Sequence, residues 1–228
     1  LGLQQPVRLA RAAATVDHLS DGRLDLGLGL GVRELPHSAF AVPSTDRVER
    51  FEDYVKVLRL LWTGTQVEFT GSGIELQAAR IEPEPMQTPL PIWFGAGAEP
   101  ALRRTALMAD AWIGSGATTT AECAQQVARL CELLSEAGRD PDEFPMSKRA
   151  YIAIDRPQIE VDAWFSALYD GWPPPPEIVL RGSADAVTEQ LIELGGAGVD
   201  ELLIHPAGED RAQLEVIAAD ILPALRDA

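Results

Sequence analysis

Two glycine-rich segments carry the clearest chemical signal in this sequence. Gly29-Leu30-Gly31-Val32 ends a stretch in which glycine alternates with leucine, and Gly95-Ala96-Gly97-Ala98-Glu99 follows the apolar run Ile92-Trp93-Phe94. Glycine lets a backbone approach a ligand closely. The start of a helix also favours an anion such as phosphate, through its free N–H groups and its dipole. The second segment leads into a predicted helix and so fits a phosphate, although an ordinary tight turn between strand and helix also explains each segment taken alone.

Other motifs with known chemistry are missing from the sequence. Neither glycine segment has the spacing of a dinucleotide-binding fingerprint, and the chain has no Walker lysine, nucleophile elbow or zinc-protease helix. No metal-type spacing of Cys or His occurs. Two histidines are candidates for the substrate side of a site: His37, in the loop after the first glycine segment, and His205, at the end of the last predicted strand. In parallel α/β folds, ligands bind at that end of the strands.

Composition and charge argue against several classes of partner. The 228 residues suffice for a single core. The net charge of −16, from 35 acidic and 19 basic residues, argues against nucleic acids and anionic membranes. Cys123 and Cys131 fall in one predicted helix, about 12 Å apart along its axis, which is too far for a disulfide. These features predict a cytoplasmic protein that binds neither nucleic acid nor membrane.

Apolar periodicity, caps and breakers predict strands and helices in regular alternation. Strands are expected at 23–29, 92–94, 112–113, 149–154 and 199–205, and a hairpin at 66–69 and 74–76. Helices are expected at 6–19, from about 46 to 62, at 99–108, from about 120 to 137, at 161–169, from about 184 to 194, and at 212–225 with an interruption near Pro223. This alternation predicts about five parallel βα units. It fits a doubly wound sheet and a (β/α)8 barrel alike.

Several segments, taken in order, resemble the bacterial luciferase-like monooxygenase family. The resemblance covers nearly the whole chain and is weakest from about Pro141 to Leu180. The segments are Pro6-Val7-Arg8-Leu9-Ala10-Arg11, Ala14-Thr15-Val16-Asp17-His18-Leu19-Ser20-Asp21-Gly22-Arg23-Leu24, Arg50-Phe51-Glu52, Pro85-Met86-Gln87-Thr88-Pro89-Leu90-Pro91-Ile92-Trp93, Ala109-Asp110-Ala111-Trp112, Gly182-Ser183-Ala184-Asp185 and Gly198-Val199-Asp200-Glu201-Leu202.

The resemblance implies a (β/α)8 TIM barrel of the luciferase-like type, with roughly the last five βα units present in this chain. Residues 1–228 would form a single domain, in which residues 63–91 are the family's insertion beside the active site. It also implies an oxidoreductase, often a homodimer, that uses coenzyme F420, with FMN as the alternative. Such an enzyme transfers a hydride between the reduced deazaflavin or flavin and a small organic substrate, or acts as a monooxygenase. The cofactor-binding residues carried over are Gly29, Leu30, Gly31, Val32, Gly95, Ala96, Gly97, Ala98 and Glu99.

The chain departs from the family's pattern in two places. The family's first three βα units precede the helix that starts here at Pro6, which predicts an N-terminally truncated member or, as the alternative, a short protein that pairs with another copy. The functional alternatives are a non-catalytic cofactor-binding protein and an inactive fragment of such an enzyme. Val32 also stands where some deazaflavin-dependent dehydrogenases carry glutamate, which argues against their sugar-phosphate chemistry.

Overall fold

The computed structural model describes residues 1–31, 45–169, 176–208 and 211–226. His37 and Val32 lie outside these residues. Two units are distinguished by their internal contacts, Leu1–Gly95 and Ala96–Ala228, and each is described by itself. In both units parallel strands are accompanied by helices, as the alternation in the sequence predicts. The single domain and the insertion at 63–91 stay predictions.

Within residues 1–31 and 45–95, the first unit contains two helices, one pair of parallel strands and one hairpin. Strand β1 pairs in parallel with β4, and Leu28 stands opposite Phe94. The ring of Phe51 packs edge-on against Phe94, with 4.9 Å between the ring centroids. Strands β2 and β3 are antiparallel, which confirms the predicted hairpin. The elements are α1 (Pro6–Leu19), β1 (Leu26–Leu28), α2 (Arg47–Leu61), β2 (Val67–Gly71), β3 (Ile74–Ala79) and β4 (Ile92–Gly95).

A buried carboxylate fixes the proline-rich connector before β4, residues 83–91, to the end of α1. Asp17 is completely buried. It accepts hydrogen bonds from the backbone N–H of Gln87, at 2.9 Å, and from its side-chain amide, at 2.8 Å. A buried charge is tolerated when such donors surround it. These bonds hold the connector in place just before β4 begins.

The second unit is built around the long strand β6. Strand β8 pairs in parallel with residues 147–152 of β6, whereas β5 pairs with residues 146–148 and β7 with residues 151–154. Some of the β6 residues that pair with β8 also pair with β5, and others also pair with β7. Strand β8 therefore lies along one edge of β6, and β5 and β7 share the other edge. The elements are α3 (Glu99–Met108), β5 (Ala111–Gly114), α4 (Thr120–Glu136), β6 (Met146–Ile154), α5 (Gln158–Leu168), β7 (Val179–Gly182), α6 (Ala184–Gly195), β8 (Glu201–Pro206), α7 (Arg211–Val216), a π-helical segment (Ile217–Ile221) and α8 (Leu222–Arg226).

Three elements differ from the sequence-based expectations. Strand β1 is only Leu26–Leu28, because the chain leaves the extended conformation and Gly31 has a φ of +82°. Strand β7 was not expected. The helical stretch at the end is not interrupted at Pro223; a π-helical turn precedes it, with the N–H of Leu222 bonded to Ile217. Such a turn re-routes the bonds that a proline cannot make or tolerate.

None of the helices in the described ranges is long and apolar enough to cross a membrane. Cys123 and Cys131 are both on α4 and are not paired in a disulfide. Both cysteines lie on one helix, as the sequence predicts.

Candidate functional site

The first glycine segment and Gly95 lie side by side at one edge of the first unit. Strands β1 and β4 run parallel, so their carboxyl ends lie next to each other. A Cβ placed on Gly95 would be 3.9 Å from the carbonyl oxygen of Leu28, so the two segments are in contact. The positive φ of Gly31 is one that side chains rarely adopt. The predicted ligand-binding residues Gly29, Leu30, Gly31 and Gly95 are therefore at the edge of the sheet where α/β proteins bind ligands.

The glycine of strand β1 lies beside a tryptophan of strand β4. Gly27 pairs with Trp93, and the indole Nε1 of Trp93 is buried without a hydrogen-bond partner among the described residues. A buried indole N–H normally finds a partner. This donor is a second feature of the same edge that the sequence did not predict.

In the loop before α3 of the second unit, the backbone carbonyls accept hydrogen bonds, whereas the N–H groups are free within the described residues. The carbonyl of Ala96 accepts a bond of 2.8 Å from the indole of the buried Trp112. The carbonyl of Gly97 accepts one from the amide of Gln126, and that of Ala98 accepts from the backbone N–H groups of residues 101 and 102. The backbone N–H groups of residues 97, 98 and 99 have no hydrogen-bond partner within the described part of the chain.

Helix α3 begins without a side-chain cap. Ala98 is its N-cap residue and offers no side-chain acceptor, and Pro100 follows at the second helical position. Residues 97–99 are exposed. Free N–H groups at an uncapped, solvent-facing helix start form a site for an anion. The residues present therefore fit a phosphate group, as the sequence predicts for Gly95 to Glu99.

The side chain of Glu99 points to a different role from its backbone. Its carboxylate accepts bonds of 2.9 and 2.7 Å from Arg129 on α4 and a longer one from Arg103. These bonds, above all the one from Arg129, hold the pKa of Glu99 below its usual range. The charge of Glu99 is thereby compensated, so that only its backbone N–H is available to a ligand.

The start of the next helix, α4, is capped by side chains. Thr119 accepts a hydrogen bond from the backbone N–H of Glu122, and the carboxylate of Glu122 accepts one from the backbone N–H of Thr119, so the two residues form a capping box on α4. Gln126, one turn further along, donates to the Gly97 carbonyl, while its Oε1 is buried with no partner in the described ranges. The cap of α4 satisfies the backbone N–H groups of Thr119 and Glu122, whereas the start of α3 has no side-chain cap.

A buried lysine supports the next loop of the second unit. Lys148 on β6 is 2% exposed. Its ammonium donates to the carbonyls of Ser115, Thr118 and Arg149, the last two at 3.1 Å. Burial is the main cause that lowers the pKa of Lys148 from its ordinary value of 10.5 to about 8.

The predicted substrate-side residue His205 belongs to a cluster of aromatic rings. Its ring lies 5.2 Å from that of Tyr151 and 5.4 Å from that of Trp164, between centroids. The hydroxyls of Tyr151 and Tyr169 are hydrogen-bonded to each other. Burial, and secondarily the charge of Arg149, lowers the pKa of His205, so that the ring is neutral at pH 7.

Sequence reasoning missed the side chains around His205. Arg149, Tyr151 and Tyr169 come together because β6 pairs with β8 and because α5 packs on β6. One signal was available: a buried parallel strand is expected to be apolar throughout, and Lys148-Arg149 interrupts the strand.

Parallel strands accompanied by helices in both units define an α/β protein, the class to which the (β/α)8 barrels belong. The profile of the luciferase-like monooxygenase family matches residues 1–221. The chain therefore belongs to that family, a family of enzymes, and the resemblance in the sequence is confirmed.

Two curated relatives illustrate the breadth of the family. A phthiodiolone/phenolphthiodiolone dimycocerosates ketoreductase of Mycobacterium kansasii is 33% identical over 232 residues, which cover 99% of this chain and 57% of the relative. An F420-dependent glucose-6-phosphate dehydrogenase of Intrasporangium calvum is 25% identical over 254 residues, covering 97% and 75%. The chain spans about half the length of other curated relatives, such as an uncharacterized protein of Mycobacterium tuberculosis, with 31% identity over 136 residues that cover 48% of it.

Solved structures confirm the fold class. An F420-dependent secondary alcohol dehydrogenase, in complex with an F420-acetone adduct, has a TM-score of 0.81 at 18% identity and covers 98% of this chain and 76% of that one. A riboflavin lyase with modified FMN has a TM-score of 0.78 at 16% identity, covering 99% and 68%. At such identities the likeness concerns the fold alone.

Proposed function

We propose that this chain acts in an oxidoreductase that transfers a hydride between a reduced coenzyme F420, or FMN as the alternative, and a small organic substrate. The observation that carries the proposal is the start of α3, where three consecutive N–H groups are free while the carbonyls of Ala96, Gly97 and Ala98 are all bonded. Such a loop holds a phosphate, which both cofactors carry.

The names of the relatives support the choice of cofactor. Two of the proteins described above are F420-dependent by name, and one solved neighbour holds modified FMN. The bound deazaflavin or flavin would supply the hydride chemistry, and the protein would supply binding and orientation. In this chain, the backbone of residues 97–99 would hold the phosphate. The family resemblance assigns residues 29–31 and Gly95 to cofactor binding as well.

Binding of paired ligands tests the phosphate site directly. The purified chain is titrated with FMN, with riboflavin, which lacks only the phosphate, and with F420, and the cofactor fluorescence is followed. We expect F420 and FMN to bind saturably, and FMN to bind at least about tenfold more tightly than riboflavin, because charge-assisted hydrogen bonds are involved. Equal affinity for FMN and riboflavin, or binding of neither cofactor, would refute the proposal. The tighter of F420 and FMN identifies the cofactor.

A proline substitution tests the donors themselves. Ala98 has a φ of −84° and a ψ of 149°, close to what proline adopts. Ala98→Pro therefore removes one free N–H with little change of shape, and we expect FMN to bind about tenfold more weakly while riboflavin is unaffected. Gln158→Pro, an exposed position at the first residue of α5, is the matched control and should change neither affinity.

The family resemblance also leads us to propose a homodimer. Light scattering on the purified chain measures its mass in solution, and a monomer at all concentrations would contradict this part of the proposal.

A further inference from the structure

Arg149 is a positive charge without a carboxylate partner. It lies on β6, is exposed, and has no bonded Asp or Glu in the part of the chain that the structure describes. Other arginines of this acidic chain are paired: Arg129 bonds Glu99 and Glu132, and Arg211 bonds Glu215. An unpaired guanidinium in a protein with a net charge of −16 is open to an external anion.

The partners that Arg149 does have are two phenols. The hydroxyl of Tyr151, and secondarily that of Tyr169, raises the pKa of Arg149, and the two hydroxyls bond each other. Tyr151 is buried and held by rings on α5, with 5.0 Å between its centroid and that of Phe165. Burial is the main cause that raises the pKa of Tyr169 to about 12. The hydroxyl of Tyr169 therefore keeps its proton at neutral pH. Because one hydroxyl proton is used in the bond between the two phenols, the other can be donated to an anion beside the guanidinium.

Apolar and aromatic groups border this charge. Leu203 stands opposite Arg149 in the register of β6 and β8, so the two side chains share one face of the sheet, and Leu203 is 41% exposed. On the same strand, His205 lies against Trp164. A charge with hydroxyl donors next to exposed apolar surface matches a ligand with an anionic head and an apolar or aromatic body.

The backbone also approaches this cluster closely. A Cβ on Gly116, just after β5, would lie 2.5 Å from the ring of Tyr151 and 3.1 Å from Cδ of Arg149. Only glycine leaves room for both side chains at that distance. Gly116 follows the carboxyl end of β5, and His205 lies near the carboxyl end of β8, where parallel α/β folds bind ligands.

We propose that Arg149, Tyr151 and Tyr169 form a site for an anionic group, a carboxylate or a phosphate, on the apolar or aromatic substrate of this protein. The inference rests on the proposed function, because it assumes that the protein has a substrate. It deepens that function by naming the chemical class of substrate that the site accepts. It places the anion of the substrate on β6 of the second unit, separate from the N–H groups of residues 97–99.

The binding test uses benzoate as the probe and benzamide as its neutral isostere, measured by calorimetry on the cofactor-free chain. We expect benzoate to bind saturably and at least about tenfold more tightly than benzamide, because the guanidinium and the hydroxyls bond the charge. Inorganic phosphate should compete with benzoate. Equal binding of benzoate and benzamide, or no binding of benzoate and phosphate, would overturn the proposal.

Two variants and one control assign the effect to the site. Arg149→Gln should weaken benzoate at least about tenfold and leave benzamide unchanged. Tyr169→Phe keeps the ring and should weaken benzoate about threefold to tenfold, through the loss of one hydroxyl. Arg211→Gln removes an equal charge from a side chain that is 91% exposed and should have no effect. Benzoate affinity that is indifferent to Arg149→Gln would refute the assignment.

A last arm separates substrate from cofactor as the source of the anion. Benzoate titrated into the chain saturated with FMN should bind as it does to the cofactor-free chain. If FMN displaces benzoate, the site belongs to the cofactor phosphate and the substrate assignment is overturned. If benzoate binds at Arg149 but neither FMN nor F420 binds the chain, the anion site stands while the proposed function fails.

Discussion

Lys148 is expected to make the stability of this protein rise with pH in the alkaline range. The chain has only two lysines, the buried Lys148 and the exposed Lys56. In the unfolded chain the ammonium keeps its proton to about pH 10.5, whereas in the folded protein the pKa of Lys148 is about 8. Between these values the unfolded state binds more protons than the folded state, so the free energy of unfolding increases with pH.

The size of this effect follows from the two pKa values. At pH 7 the lysine is protonated in both states, so its pH-dependent contribution is close to zero. At pH 9.5 the folded protein has lost the proton and the unfolded chain has mostly kept it, which amounts to about 2 kcal/mol of added stability. Lys148→Met removes the titrating group, and the stability of this variant should lack that rise.

Urea unfolding at pH 7, 8, 9 and 9.5 measures the difference between the original chain and each variant. The difference from Lys148→Met should grow by about 2 kcal/mol over this range, in favour of the original chain. Lys56→Met is the matched control, because Lys56 is 54% exposed and pairs with Asp53 at the surface. A difference from Lys148→Met that stays constant with pH would show that the three carbonyls hold the ammonium fully charged, and the reasoning would be wrong.

Two further substitutions test the framework around the loops. Asp17→Asn should lower the free energy of unfolding by about 1–3 kcal/mol at pH 7 in a urea titration, since an amide cannot accept both bonds from Gln87 without turning an N–H toward a donor. Burial opposes the ionisation of Asp17, but the bonds from Gln87 keep the pKa of Asp17 below its usual range. The stability that these bonds contribute should therefore be lost as the pH falls below about 4. An Asp17→Asn variant as stable as the original chain at pH 7 would contradict the prediction. Thr119→Ala breaks the capping box with Glu122 and should cost about 1 kcal/mol, seen as a Tm lower by about 2–4 °C. An unchanged Tm would mean that water caps α4 equally well.

Local signals in the sequence were sufficient for most of the helices, and they predict which backbone segments form the candidate site. The proline at the start of α1 and the Thr119–Glu122 pair fix helix ends through contacts between near neighbours in the chain. The glycines of residues 95–97 indicate an exposed loop before a helix. In each case the physics is confined to a few consecutive residues, which makes the prediction possible.

The arrangement of side chains around Arg149 could not be predicted in the same way. It depends on the register of β6 with β8, which sets Tyr151 opposite His205 although 53 positions in the sequence separate them. A shift of one residue would turn these side chains to the other face of the sheet. Lys148 was missed for a related reason, because two of its three acceptors are loop carbonyls whose positions depend on the fold.

The contact between Gly116 and Tyr151 has a consequence for how this chain can evolve. With a Cβ at position 116 only 2.5 Å from the ring, this position can take a residue larger than glycine only if the ring of residue 151 moves or is replaced by a smaller side chain. Across homologous sequences the two positions should covary: any residue larger than glycine at 116 should coincide with a smaller one at 151. A lineage that makes this exchange would also lose the Tyr151 hydroxyl next to Arg149, and with it part of its preference for anionic ligands.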